Sequence, residues 1–322
     1  MKLIRTISLS LLIVTVAALP LLAAETGTFE RTLKVTGQVS LDLRSGTGNV
    51  KVHAGPGDSV HVSATIRAGD SWFGMSAREK VTKLQSNPPV VQAGNLITIG
   101  KIEDSALRND VSIDYDVTVP AQTQLTSRTG TGAQTISGLN LAMKVSSGTG
   151  EVAIDHAGAG VHVSTGTGNV HLTTIKGVVE ASTGTGQIQA TGVGGDLKIH
   201  TGTGTITVED SSSGTIEAST GTGTVRLRGV KGALKIHTGS GEISVEGEPR
   251  ANWELAAGNG GIGLKLPSAA SFNLDARSQH GTVTVNRKTV EGSVARNRVQ
   301  GKVGSGGPLV DAQTGSGHIQ VD

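Results

Sequence analysis

Val179-Glu180-Ala181-Ser182-Thr183-Gly184-Thr185-Gly186-Gln187-Ile188 is the stretch that decides the fold. Apolar and polar residues alternate up to a Gly-Thr-Gly corner, and the alternation resumes beyond it. The first glycine of the same corner stands at Gly130, Gly148, Gly166, Gly184 and Gly202, 18 residues apart, and then at Gly221, Gly239 and Gly258 at spacings of 19, 18 and 19. The last two copies read Gly-Ser-Gly and Gly-Asn-Gly. A fixed period this short is the signature of a stacked array.

Aligned on the first glycine, the flanks fall into columns. Five residues before it stand Leu125, Met143, Val161, Val179, Leu197, Ile216, Leu234 and Trp253, and four after it stand Gln134, Val152, Val170, Ile188, Ile206, Val225, Ile243 and Ile262. Positions three before and six after are apolar in the same way, as in Val163 and Leu172. Period-2 alternation on both sides predicts two short strands per coil, each with one face inward. One coil alone cannot bury those faces; a stack of coils buries them in one column. Leu139, Ala157, Ile175, Val193 and Val230, nine after their corners, hint at a short third face, so two or three sides remain open. Glycine is needed at the corner for φ > 0 or for close approach of neighbouring backbones. The expected fold is all-β: a right-handed parallel β-helix (solenoid) of about 18 residues per coil. It has about ten rungs and is on the order of 40 Å long, capped by a β-rich N-terminal region.

Composition fits this reading. The chain of 322 residues carries 47 glycines but only 2% aromatics. The glycines are in register, which argues against disorder, and not every third residue, which excludes collagen. Opposing walls about 10 Å apart leave little room for rings. A net charge of +2 argues against a nucleic-acid binder. No cysteine is present, so there is no disulfide framework or thiolate metal site.

Lys2 and Arg5 precede an apolar run from Ile7 to Leu22, followed by Ala23-Ala24. This reads as a secretory signal peptide over residues 1–24, with an uncleaved anchor as the other possibility. Absence of a cysteine after the run excludes a lipoprotein anchor. Residues 25–120 are expected to form a β-rich capping region. It includes an early corner at Gly46 and the insert Ser71–Val81, a short helix or ordered loop carrying Trp72 and Phe73. Residues 121–322 form the solenoid. A basic excursion at about 286–302 carries Arg287, Lys288, Arg296, Arg298 and Lys302 against Glu291. Val310, Ala312, Gly315-Ser316-Gly317, Ile319 and Val321 restore the register for a final rung.

Chemistry is sparse. No helix follows a corner, which removes the phosphate reading of Gly-x-Gly. Calcium repeats need Asp near the glycines, where this chain has Glu151, Asn169, Gln187, Thr205, Thr224 and Glu242. Outward residues four before the corner run Glu180, Lys198, Glu217, Lys235, Glu254, a ladder of alternating sign. His200 and His237 sit two coils apart, too far to share a metal. Asp155 with His156, Glu209 with Asp210, and Asp275 with His280 are the only pairings with catalytic chemistry, and none has partners on adjacent coils. No catalytic, cofactor-binding or metal-ligating residue is assigned, and no cofactor is expected.

Three features together resemble a bacterial family of domains of unknown function named putative adhesins. They are Val111-Ser112-Ile113-Asp114-Tyr115-Asp116-Val117-Thr118-Val119-Pro120 leading into the array, the apolar-x-apolar-x-Thr-Gly-Thr-Gly-x-apolar unit, and Gly304-Ser305-Gly306-Gly307 followed by Thr314-Gly315-Ser316-Gly317-His318-Ile319. The resemblance covers about residues 30–322 and implies a solenoid without catalytic assignments. The expected function is an exported, non-enzymatic envelope or surface protein, in the periplasm, cell envelope or extracellular space. Its expected partners are envelope or surface polymers or another envelope protein, with no nucleic acid and no specific small molecule. The alternatives are a β-helix carbohydrate-active enzyme (polysaccharide lyase or hydrolase) and an envelope-stress accessory protein.

Overall fold

The alternation on either side of each corner becomes two long sheets facing one another. The structure is a computed structural model that describes residues 24–70, 74–211, 214–287 and 290–322. The expected leader, apart from Ala24, lies outside the described residues, as do Trp72, Phe73 and Lys288.

One sheet has 14 strands and the other 15, both built on parallel pairing. In a typical coil, strand Val179–Thr185 lies in the larger sheet, the corner turns the chain, and strand Ile188–Val193 lies in the smaller. Neighbouring coils are in register: Val179 faces Leu197 and Ile188 faces Ile206. The inward Val, Ile and Leu side chains form one continuous buried column. Among the described residues the buried aromatics lie near its ends, Phe29 and Tyr115 at one and Trp253 and Phe272 at the other.

The corner separates the two uses of glycine. The first glycine allows close approach: a Cβ on Gly184 would lie 2.6 Å from the carbonyl oxygen of Gly166 on the next coil. The second also needs its backbone conformation: Gly186 has φ +153°, and a Cβ there would lie 2.0 Å from the Gly168 oxygen. A second bend follows eight residues after the first glycine, at Gly138, His156, Thr174, Gly192, Asp210 and Gly229, all left-handed. It turns Leu139, Ala157, Ile175, Val193 and Val230 inward, and all five are buried. The coil is thus two-sheeted, closed on its far side by a ladder one residue wide. The sequence showed that ladder but not the left-handed bend, because three of its six residues are not glycine.

Among the described residues the facing sheets share twelve rungs. Beyond the ten expected, Val39–Gly55 supplies one, and strands Leu96–Ile99 and Val111–Pro120 supply another. At about 4.8 Å per rung the stack is roughly 50 Å long. Two rungs are placed out of chain order. Val39–Thr47 lies between Leu96–Ile99 and Thr123–Thr131, and Val50–Gly55 lies between Val111–Pro120 and Gln134–Ser137. At the other end, Leu309–Ser316 is inserted between Trp253–Asn259 and Phe272–His280. The expected final rung is therefore the penultimate one.

Antiparallel strands close the stack. Glu25–Lys34 and Ser59–Ala68 extend the smaller sheet beyond Val111–Pro120. Val90–Ala93 covers Leu96–Ile99 at one end of the larger sheet, and the hairpin Val290–Ala295/Arg298–Val303 covers Phe272–His280 at the other. The basic excursion is thus a regular hairpin. The N-terminal insert continues as helix Ala77–Ser86, which starts with a reciprocal Ser76–Glu79 capping box. Its buried residues Val81 and Leu84 belong to the core, and Val81 packs on Gly27.

Candidate functional site

Each corner from Gly166 to Gly239 consumes its own polar groups. The threonine before the first glycine points inward, and its hydroxyl donates to the second-glycine carbonyl of the preceding coil. Thr183 donates to Gly168 at 3.0 Å, Thr201 to Gly186 at 3.1 Å and Thr238 to Gly223 at 3.1 Å. Asn169, at a position where a calcium repeat would supply a ligand, accepts from the Gln187 amide at 3.0 Å. The corner there is a folding device with nothing left over.

The outer surface is a set of ladders. Lys144, His162, Glu180, Lys198, Glu217, Lys235 and Glu254 are consecutive cross-strand neighbours along one face. His162 and Glu180 approach to 3.0 Å, whereas among the described residues no neighbouring pair from Glu180 to Glu254 closes to an ion pair. Surface charges at this spacing contribute little stability. His200 accepts or donates at 2.9 Å with Ser219, which separates it from His237.

The sequence-derived pairings stay isolated. Asp155 and His156 form an exposed ion pair at 2.6 Å. Glu209 reaches Arg228 at 3.9 Å, away from Asp210. Asp275 pairs with Arg298 at 3.2 Å, and His280 lies 3.3 Å from the Gly315 carbonyl instead. Among the described residues no three His, Cys, Asp or Glu gather as a metal site. In the basic hairpin region, Arg287 donates to the carbonyls of Leu266, Pro267 and Asp322 at 2.6–2.9 Å, so it fastens the inserted C-terminal rung.

A concavity lies at the N-terminal end, a cleft of about 660 Å³. Its cause is local. The outermost rung has no Gly-Thr-Gly corner; between Ile99 and Val111 the chain leaves in an excursion with one 3-10 turn, Ser105–Leu107. The first glycine of the early corner, Gly46, is therefore uncovered, and a Cβ there would meet nothing within 4 Å, whereas a Cβ on Gly48 would still lie 2.2 Å from the Ile113 carbonyl oxygen. Arg44, Lys101, Arg108 and Arg128 line the opening, with Glu103 as the acid. Arg44 and Arg128 share Asp42 at 2.7 and 3.2 Å, and Lys101 meets Glu103 at 3.1 Å. Arg108 is exposed and forms no ion pair among the described residues.

Two buried hydroxyls also line this cleft. Tyr115, 3% exposed, and Thr129, 5% exposed, have no hydrogen-bond partner among the described residues. Tyr115 stands edge-on to Phe29, and burial pushes its phenol above the ordinary range, so it stays protonated as a donor. Gly100, with φ +76°, keeps the wall thin: a Cβ there would lie 3.2 Å from the Tyr115 hydroxyl and 1.8 Å from the Arg44 carbonyl. The sequence reading singled out none of Arg108, Tyr115 and Thr129 as a site residue. The available signal was that Tyr115 is the one tyrosine of the chain and stands at an inward position.

Residues 96–322 match the family Toastrack DUF4097, starting at the outermost rung. Among curated proteins, none matches the chain. Among solved structures, a putative cell adhesion protein from Clostridium sporogenes is 15% identical over 92% of this chain and 99% of its own, with a TM-score of 0.24. A putative adhesin from Bacteroides fragilis is 14% identical over 92% of this chain and 97% of its own, with a TM-score of 0.35. Superpositions this loose carry no argument about function.

Proposed function

The chain belongs to the Toastrack DUF4097 family, and from that membership and the surface just described we propose that it is an exported, non-enzymatic protein of the cell envelope or surface. It presents a long, regular β-solenoid face to envelope or surface polymers. The observation that carries this reading is the outward ladder from Lys144 to Glu254, seven side chains held in direct cross-strand register. A repeated polymer meets such a ladder at many equivalent points, so individually small contacts add up through multivalency. Among the described residues no helix is long and apolar enough to cross a membrane. Export rests on the leader read from Lys2 to Ala24.

Two measurements test this. Mass spectrometry of the native protein should find a mature N-terminus at Ala24 or Glu25. Co-sedimentation of the mature chain with a panel of purified envelope polymers should show salt-sensitive binding without shortening of the polymer. Polymer degradation would sink the non-enzymatic part, and absence of binding to every polymer would sink the adhesive part.

A further inference from the structure

We propose that the N-terminal cleft is a binding site for an acidic sugar, a hexose-sized unit carrying a carboxylate or phosphate, held by Arg108, Tyr115 and Thr129. The inference goes beyond the surface ladder: it concerns a different face of the molecule and holds wherever the chain resides.

Four observations converge. The cleft has the volume of a small-molecule site, about 660 Å³ within the usual 300–1,000 Å³. It contains two buried hydroxyls without partners, a costly arrangement that native structures rarely keep without a reason. Its charge is positive: four cations line it against Glu103, and of those four Arg108 has no counter-charge. A guanidinium offers paired donors that fit a carboxylate or phosphate. The remaining wall includes Leu107, Val111 and Ile113, which suits the apolar face of a sugar ring, while the hydroxyls of Ser45 and Thr47 offer further polar contacts near the rim.

In the pre-corner column the hydroxyls of Thr129 and Ser147, on adjacent coils, both lack a partner among the described residues, and those of Thr183, Thr201 and Thr238 do not stay free. Each of the latter donates to a glycine carbonyl at 3.0–3.1 Å. Thr129 differs from Ser147 in lining the cleft.

The test is isothermal titration of the full mature chain with glucuronate, glucose 6-phosphate and, as neutral control, glucose. Saturable binding of one or both anions, with none for glucose, is expected, and the preferred anion tells carboxylate from phosphate. Arg108→Ala, at an exposed position, should weaken that binding at least tenfold while leaving the unfolding midpoint unchanged. Tyr115→Phe should weaken it severalfold and leave stability equal or higher, since it removes a hydroxyl that has no partner. Absence of saturable binding by both anions at millimolar concentration overturns the proposal. So does equal binding of glucose, wild-type affinity in Arg108→Ala, or a clear loss of stability in Tyr115→Phe.

Discussion

The coils from Val161 to Gly247 and the first rungs at the N-terminal end are written in the same motif and use it differently. In the middle, every Gly-Thr-Gly corner lies beneath another. The first glycine admits the neighbouring backbone, the second takes a left-handed conformation, and the preceding threonine satisfies a carbonyl of the previous coil. At the N-terminal end the outermost rung has no corner. Gly46 is left open, the Tyr115 hydroxyl has no partner among the described residues, and a charged cleft fills the space. A repeat is thus structural where it is stacked and available for binding where the stack stops. Function in such a fold is expected at interruptions as well as on the regular faces.

The glycines give the largest test of this difference. Gly184→Ala would put a Cβ 2.6 Å from the Gly166 oxygen, forcing two parallel strands apart. Such a change should cost at least about 3 kcal/mol. Gly46→Ala, at the equivalent position of the open corner, should change stability by less than about 1 kcal/mol. Urea denaturation of both variants decides it; equal losses would break the comparison.

The threonines sharpen it. Thr201→Val removes the donor to Gly186 and should cost about 1–2 kcal/mol. Thr129→Val removes a hydroxyl with no partner, and its stability by the same measurement should stay level or rise.

The far bend offers a smaller effect in the opposite direction. Thr174 adopts φ +55°, a conformation β-branched residues avoid and asparagine accepts. Thr174→Asn should raise stability by about 0.5–1 kcal/mol, read as an increase in the denaturation midpoint. Gly192 already occupies the equivalent position of the next coil, so Gly192→Thr should lower the midpoint.

The smallest effect belongs to the N-terminal end alone. Hydrogen bonds from the Ser76 backbone and side chain hold the Glu79 carboxyl below its ordinary value of 4.5. A depressed carboxylate stabilises the folded state above the unfolded pKa and loses that contribution as pH falls through the folded one. Hydrogen-exchange protection factors, corrected for the intrinsic rate at each pH, should therefore fall in helix Ala77–Ser86 below about pH 4.5 while those of the middle coils hold steady. In Glu79→Gln, which keeps a capping acceptor, this part of the acid response should disappear.

Much of the fold was legible in the residues. The column positions found by counting from each corner are inward in the structure, including the third ladder from Leu139 to Val230. The scarcity of rings was readable as a consequence of a narrow column, and the structure places the buried ones near its ends. The candidate site was not legible. Arg108 and Tyr115 line one cleft beside an excursion whose path no periodicity describes, and Thr129 occupies the same pre-corner position as the threonines that find a partner.

By itself the sequence determined the coil: its period, its glycine corners, and which side chains face inward. These follow from local geometry, since alternation and φ constraints act within a few residues. Only the tertiary structure decided the order of the rungs at the two ends. Val39–Gly55 is inserted ahead of Thr123–Thr131, and Leu309–Val321 is inserted beneath Phe272–Val285. Every coil presents the same backbone edges and the same apolar columns, so pairing energy barely distinguishes one neighbour from another. What breaks the tie is long-range: how the antiparallel ends close over the column, and where Arg287 can reach the carbonyls it fastens.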